Sequence, residues 1–397
     1  MRQTVRPNKA ECTGCGACAS ICPKKAITMQ PDEEGFLYPV VDAGLCVECN
    51  LCEKRCPVGK TGAQVKSARF GAQHRDKAVR GASSSGGVFT ALAQQTLAAG
   101  GVVFGAAFDE RMRVEHVGAF DEAELSGMRG SKYVQSDAAD AIAHAASLLS
   151  RGIPVLFSGT PCQVAGLKAK VGDRYGDLLL TVDFVCHGVP SPGVFASYLQ
   201  ALERERGSRV TAYTFRDKRN GWKDFSAVAT FEDGTEHVGS QVTDPFLYGF
   251  LQNLYLRPSC AQCDSMREGH HPADITVADL WGMQEVAPDA DDDVGTSLVF
   301  LNTKRGRQAF ERCRTQLAVF PVANTQKLLR ANPSIAHAAK PHKNREAFFR
   351  RYKKKGFEAA YVMKLLAEPC RLERAARRMA HLPFGLMRRI RVLLGKR

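Results

Sequence analysis

The chain has 397 residues, 44% of them apolar, enough for two or three domains with cores of their own. No apolar run of about 18 residues occurs, which excludes a spanning helix, and the opening residues show no secretory leader, so the expected location is a cytoplasm. Fourteen cysteines in a reducing compartment point to metal or redox sites rather than disulfides. The formal net charge of +14 lies wholly in residues 340–397, where 18 Lys and Arg face 4 Asp and Glu, so the basicity says nothing about the substrate of the body.

Two runs open the chain. CTGCGACASICP places Cys12, Cys15, Cys18 and Cys22 before Pro23, and CVECNLCEKRCP places Cys46, Cys49, Cys52 and Cys56 before Pro57. Both have the C-x2-C-x2-C-x3-C-P spacing of bacterial ferredoxins, in which the fourth cysteine ligates the other cluster. One 4Fe–4S cluster is therefore assigned to Cys12, Cys15, Cys18 and Cys56, and a second to Cys46, Cys49, Cys52 and Cys22. Structural zinc would use two C-x2-C knuckles and leave the other cysteines idle. EEGFLYPVVD between the runs reads as the turn and strand of a hairpin. Such a module passes single electrons and has no substrate pocket, so it must serve the larger body of the chain.

TGAQVKSARFGAQHRD reads as a connector running into a strand. SSSGGVFTALAQQTLAAGG is then a Ser/Gly loop opening a helix with a glycine stop, followed by the strand VVFGAAF. SDAADAIAHAASLLSRG is an amphipathic helix with a Ser or Asp cap. IPVLFSG, LLLTVDFV, VTAYTFRD, SAVATFEDGTEHVG and ADITVADL are strands, one a hairpin turning on Asp-Gly, with helices at CQVAGLKAKV and SPGVFASYLQALERERG. The fold class is α/β or α+β with a mostly buried sheet.

Cys162 and Cys186 each follow a strand, and a parallel sheet brings both to its carboxyl edge, where ligands bind. Cys260 and Cys263 form a C-x2-C pair. These four admit a third 4Fe–4S cluster; a plain reading leaves the first two as buried apolar residues and the pair as half a zinc site. Cys313 and Cys370 read as core residues. The SSSGG loop suits an anion or a flat ring, yet lacks the G-x-G-x-x-G spacing of a dinucleotide fold. One-electron centres need a place where electrons leave in pairs, and a flavin is the usual converter.

SSSGGVFTALA, SKYVQSD, GTPCQVAGLK, DFVCHGVPSP, FRDKRNGW, LRPSCAQCDSM and ADITVADLWG together resemble the coenzyme F420 hydrogenase/dehydrogenase beta-subunit family, in which a fused ferredoxin module is common. The ferredoxin-type dicluster domain then spans residues 1–62, the resemblance implies a mixed α/β flavin- and cluster-binding domain over 68–330, and the charge and helical spacing make 331–397 a basic, largely helical tail. It implies Cys162, Cys186, Cys260 and Cys263 as the third cluster's ligands. Ser84, Ser85, Gly86 and Gly87 would hold FAD, or FMN in its place, with Ser131, Lys132 and Tyr133 at its phosphate or ring edge. Gly159, Thr160, Pro161 and Gln163 would face the flavin. His187 is the candidate proton relay, or alternatively orients the cluster sulfurs, with Asp279 and Trp281 near the same edge, and Arg216, Lys218 and Trp222 are candidates to grip an anionic substrate. The alternative for Lys132 and for the FRDKRNGW loop is ordinary solvated structure.

These readings describe an iron–sulfur flavoprotein oxidoreductase. It links a one-electron carrier such as a ferredoxin to a small two-electron substrate, such as a deazaflavin coenzyme or a polysaccharide-pathway intermediate. A non-catalytic electron-transfer subunit is the alternative. In the tail, Leu372, Ala375, Ala376, Met379 and Leu382 share a helical face that Leu386, Ile390 and Leu393 continue past Pro383. A basic amphipathic helix suits the anionic inner face of a membrane; no nucleic acid is expected, because no binding motif accompanies the charge.

Overall fold

In the computed structural model the described residues are 5–6, 8–60, 67–263, 270–322 and 325–367. The N-terminal module is built on an antiparallel hairpin of β1 (Ile27–Pro31) and β2 (Leu37–Val41), paired from Ile27 opposite Val41 to Pro31 opposite Leu37. Its turn is fixed by the Asp32 carboxylate, which accepts the backbone N–H groups of Glu34 and Phe36 at 3.0 Å each. Gly35 has φ +80°, and a Cβ there would stand 2.6 Å from the Cα of Gly193. Only glycine lets this turn settle on the start of the helix Pro192–Arg206. Ser191 Oγ donates to the Glu34 carbonyl at 2.5 Å, and the ion pairs Arg345–Glu34 (2.5 Å) and Lys353–Glu33 (2.7 Å) hold the same corner.

The body carries β3 (Ala68–His74), β4 (Val102–Phe108), β5 (Val114–Ala119), β6 (Val155–Ser158), β7 (Leu179–Phe184), β8 (Val210–Asp217), β9 (Ser226–Phe231), β10 (Glu236–Ser240), β11 (Ile275–Asp279), β12 (Ser297–Leu301) and β13 (Leu317–Pro321). Eight of them form one mixed sheet in the order β13-β3-β12-β11-β7-β6-β4-β5. Its centre, β11-β7-β6-β4, is parallel, and β5, β12, β3 and β13 join antiparallel to their neighbours. Because β12 runs against β11 and β3 runs against β12, β3 ends at the same edge as β6, β7 and β11. The loops after all four therefore meet at one edge. A second, antiparallel sheet of β10, β9 and β8 stands apart, its hairpin turning at Asp233 and Gly234.

Two details depart from the sequence reading. The amphipathic helix runs Ala139–Ser150 with Ala138 at its N-cap; Asp137 sits one residue further out, where its carboxylate accepts the Ala139 N–H at 3.0 Å. Residues expected to open a basic tail instead build the body. The helices Arg345–Lys355 and Ala359–Leu366 put Phe348, Phe349, Val362 and Leu366, with Phe357 between them, into the same core as Phe36, Tyr198 and Phe246. The amphipathic stretch from Arg371 onward lies outside the described residues.

Candidate functional site: two cysteine groups leading to a cavity

Gly14 and Gly16, at φ +67° and +80°, bend the first cysteine run so that Cys12 and Cys15 turn inward. Cys12, Cys15 and Cys56 are buried and Cys18 is half-buried. The Cys18 thiol is pushed up by burial first and then by Cys15, Cys12 and Cys56, which lie close enough for their charge to reach it. Cys18, Cys22, Cys46 and Cys52 pack round Val5, Ile27 and Val41, while Cys49 is exposed, as are Leu45 and Val47 shortly before it, at 52% and 59%. One cysteine group thus faces the body and the other faces solvent.

Beyond β6, Thr160 caps the helix Pro161–Val171. Its N–H donates to Gln163 Oε1 at 3.0 Å, and its Oγ1 lies 3.1 Å from Cys162 Sγ. Cys186 follows β7 by two residues, and Cys260 and Cys263 flank the end of a short 3-10 turn, Pro258–Gln262. The Cys186 thiol is pushed well up by burial, then by Cys260, Cys162 and Cys263. The Cys260 thiol is pushed up to about 12, by burial first and with Cys162 and Cys263 adding to it. The inner ferredoxin run adjoins this group. The Cys15 thiol is raised to about 12 by burial first and Cys162 second, and a Cβ on Gly166 would stand 3.3 Å from Cys15 Sγ. So many buried thiols raise one another's cost of ionisation, and a cationic metal core is what relieves it. Among the described residues no three His, Cys, Asp or Glu side chains converge on a single-ion position. A cubane takes its thiolates at separate corners instead.

Cys162 and Cys186 open onto a cavity of about 530 Å³, within the usual range for a small-molecule site. Ser84, Ser85, Gly87, Ser131, Lys132, Tyr133, Gly159, Thr160, Gln163, His187, Arg216, Asp279 and Trp281 line it, so most of the expected site residues meet here. Gly86, Pro161, Lys218 and Trp222 are not among the lining residues. Gly86 is pressed on the sheet, where a Cβ would fall 2.5 Å from Ser297 N. Lys218 donates to the Arg80 and Val294 carbonyls at 2.9 and 2.7 Å. Trp222 is 1% exposed, stacks on Trp281 at 4.4 Å, and donates its indole N–H to the Ser84 carbonyl at 3.1 Å. Lys218 and Trp222 thus brace the wall rather than reach into the cavity. Lys132, pulled down to about 7 by burial, donates to the Gly127 and Arg129 carbonyls at 2.7 and 2.8 Å.

Arg216 pairs with Asp279 at 2.6 Å and lies over the Phe225 ring at 4.5 Å. Its Nε and Nη2, with Thr13 Oγ1, Thr90 Oγ1 and His187 Nε2, are buried without a hydrogen-bond partner, and all five atoms belong to cavity-lining residues. A mostly apolar cavity with buried polar atoms left over fits a large, flat, partly polar cofactor such as a flavin. Sequence reasoning passed over His116, Gln135 and Arg257. His116 is held by Ser136 Oγ (2.9 Å) and the Ser158 carbonyl (3.0 Å), and burial takes it down to about 4, so it stays neutral. The one signal for Arg257 was its place three residues before Cys260.

Paired cysteine groups, an N-terminal ferredoxin-like module and a large mixed sheet define an iron–sulfur electron-transfer protein. Residues 11–60 match the 4Fe-4S dicluster domain. Residues 69–143 match the coenzyme F420 hydrogenase/dehydrogenase beta subunit N-term, and 154–323 its C terminus. The chain belongs to the coenzyme F420 hydrogenase/dehydrogenase beta-subunit family. It is 24% identical over 188 residues to an F(420)H(2) dehydrogenase subunit of Methanosarcina mazei, a match over 44% of this chain and 53% of that protein. A 50-residue match, 38% identical, links 13% of this chain with 64% of an uncharacterized ferredoxin of Methanocaldococcus jannaschii. The chain therefore spans only part of the length of the curated relatives it matches. A chain of the F420-reducing NiFe hydrogenase complex from Methanosarcina barkeri aligns with a TM-score of 0.48 at 21% identity, covering 69% of this chain and 89% of that one. No helix among the described residues is long and apolar enough to cross a membrane.

Proposed function

We propose that the protein is an iron–sulfur flavoprotein oxidoreductase. In this reading, single electrons from a carrier protein enter at the solvent-facing cysteines around Cys49 and pass inward through Cys12, Cys15, Cys18 and Cys56. They then reach the group of Cys162, Cys186, Cys260 and Cys263, and leave in pairs through a flavin, FAD or FMN, to a small substrate. The observation that carries the reading is the adjacency of Cys15 to Cys162, with Cys162 itself on the cavity wall. The domain division at about residues 62 and 68 follows the same reading, as does a two-electron substrate of the deazaflavin type.

The flavin's chemistry is the conversion between one- and two-electron steps. The loop Ser84–Gly87 and the start of the helix Val88–Ala98 would hold it, with Thr90 and Arg216 supplying donors. His187, whose pKa burial lowers so that the ring is neutral, lines the cavity and would relay a proton there. A purely electron-transferring subunit is the second reading, favoured by the M. mazei relative being named as a subunit of a dehydrogenase.

Iron, sulfide and flavin quantitation on anaerobically purified protein tests the proposal. Three cubanes give about twelve irons. Cys162→Ala should remove about four of them and spare the rest, because the other two groups have complete ligand sets without it. A variant with full iron, or a fully loaded wild type that takes up neither FAD nor FMN, rejects it.

A further inference from the structure

Arg257 is 1% exposed. Its Nε donates to the Cys12 carbonyl at 2.8 Å, its Nη1 to the Leu37 carbonyl and Gln135 Oε1 at 3.1 Å each, and its Nη2 points at Cys12 Sγ at 3.9 Å. The guanidinium lies over the Tyr38 ring at 4.0 Å. On the other side its backbone carbonyl accepts the Cys260 N–H at 3.0 Å, which ties the residue to the second cysteine group. Among the described residues no carboxylate forms an ion pair with it. Burying an unpaired cation costs several kcal/mol, so such a residue persists where an anion stands beside it. Four thiolates on a cubane core carry net negative charge, and both buried cysteine groups supply that anion.

We infer that Arg257 is a positioning residue for electron transfer: a fixed positive charge between the Cys12 group and the Cys162 group. It holds the ferredoxin-like module in register on the body and raises the reduction potential of the clusters on both sides. Reduction adds one electron, making a cluster more negative, and a nearby cation stabilises that form. Each transfer across the gap moves one electron from the Cys12 group to the Cys162 group and makes or breaks no bond. Arg6 also lies near the inner group, through Cys56, but its side chain is 29% exposed and water screens it. For the Cys162 group the inference rests on the proposed third cluster; for the Cys12 group it does not.

The test is an EPR-monitored redox titration of the full-length, cluster-loaded protein, with iron counted per chain. Arg257→Gln removes the charge. Gln135→Glu keeps an acceptor for Nη1 and for the Leu37 N–H, which Gln135 Oε1 takes at 3.0 Å, and neutralises the charge in place. Tyr38→Leu weakens the module contact without altering any charge. The first two should retain iron and disfavour reduction tenfold or more, a fall of about 59 mV per tenfold for a one-electron couple. Tyr38→Leu should leave the potentials where they are. If Arg257→Gln fails to hold iron, Gln135→Glu decides. Unchanged potentials in fully loaded Gln135→Glu, or an equal fall in Tyr38→Leu, overturn the inference. A wild type with only two clusters sinks the third-cluster proposal, while the Cys12-group potential still reads Arg257.

Discussion

Trp222 separates a brace from a substrate contact. Its indole N–H donates to the Ser84 carbonyl at 3.1 Å, and its ring stacks 14° from parallel on Trp281, which does line the cavity. Trp222→Phe keeps an aromatic body and deletes the donor. A lost hydrogen bond of this kind costs about 0.5–1.5 kcal/mol, and 1.4 kcal/mol is about tenfold in affinity. Part of the loop's order survives, because Ser131 Oγ still donates to Ser84 Oγ at 2.8 Å. Flavin binding should therefore weaken about three- to tenfold, since the loop must be ordered again on binding. Trp222→Ala also removes the stacked ring and should lower fold stability by about 3–5 kcal/mol. Fluorescence titration of the flavin-stripped variants with FAD and FMN reads the first effect, and urea unfolding reads the second. Unchanged flavin affinity in Trp222→Phe together with a raised KM for the two-electron substrate would refute the brace and restore Trp222 as a substrate contact.

Asp183 on β7 is fully buried; its Oδ1 accepts from Thr276 Oγ1, its Oδ2 has no partner, and burial raises it to about 7. Below the unfolded-state value near ~4 the group is protonated in both states. As pH rises from there to about 7 the unfolded chain ionises first, so stability falls by on the order of 1.4 kcal/mol per pH unit and stays low above that window. Asp183→Asn should flatten that fall in denaturant melts across the same window; parallel profiles for the two proteins would remove Asp183 as its cause. Ending the chain after Ala367 removes nine Lys or Arg and two Glu while keeping Phe348, Phe349 and Val362 in the core. Each basic residue near an anionic bilayer contributes about 1 kcal/mol, so the cut should abolish low-salt binding to phosphatidylserine vesicles and leave iron and flavin unchanged. Full-length protein that ignores such vesicles removes the membrane role.

That the cysteines gather in groups was legible in the sequence because short fixed spacings and strand ends are both local properties. The lining residues near Ser84, Ser131 and Thr160 were legible through the family motifs SSSGG, SKYVQSD and GTPCQVAGLK, and of the three only Thr160, which caps the helix after β6, stands directly beyond a strand of the parallel centre. Polar side chains with two possible destinations were less so. Lys218 and Trp222 sit in a loop that looks free, and only the approach of Arg80, Val294 and Ser84 from elsewhere in the chain occupies their donors. Arg216 belongs to the same motif but stands on β8 rather than in the loop, and the strand carries it to the cavity wall. Strand β12 escaped notice because all five of its residues are buried, which gives an unbroken run without the alternation of a half-exposed strand.

The docking of the ferredoxin-like module was the least legible feature, and physically it is the one on which electron flow depends. It rests on contacts between residues more than a hundred positions apart. Gly35 lies against Gly193, Gly166 against Cys15, Lys170 donates to the Ser20 carbonyl at 2.7 Å, and Arg257 reaches the Cys12 carbonyl. No periodicity marks such contacts. Glycines supply close approach, and two cations donate to backbone carbonyls across the boundary. The effect is directional. Exposure declines from Cys49 at the surface to Cys12 and Cys15 in the interior, and the last sulfurs before the cavity are those of Cys162 and Cys186. A one-electron carrier docks where a cluster is reachable, whereas a flavin works where water is excluded. In the proposed function, an arrangement with the exposed group outermost and the cavity innermost would meet both needs with one chain.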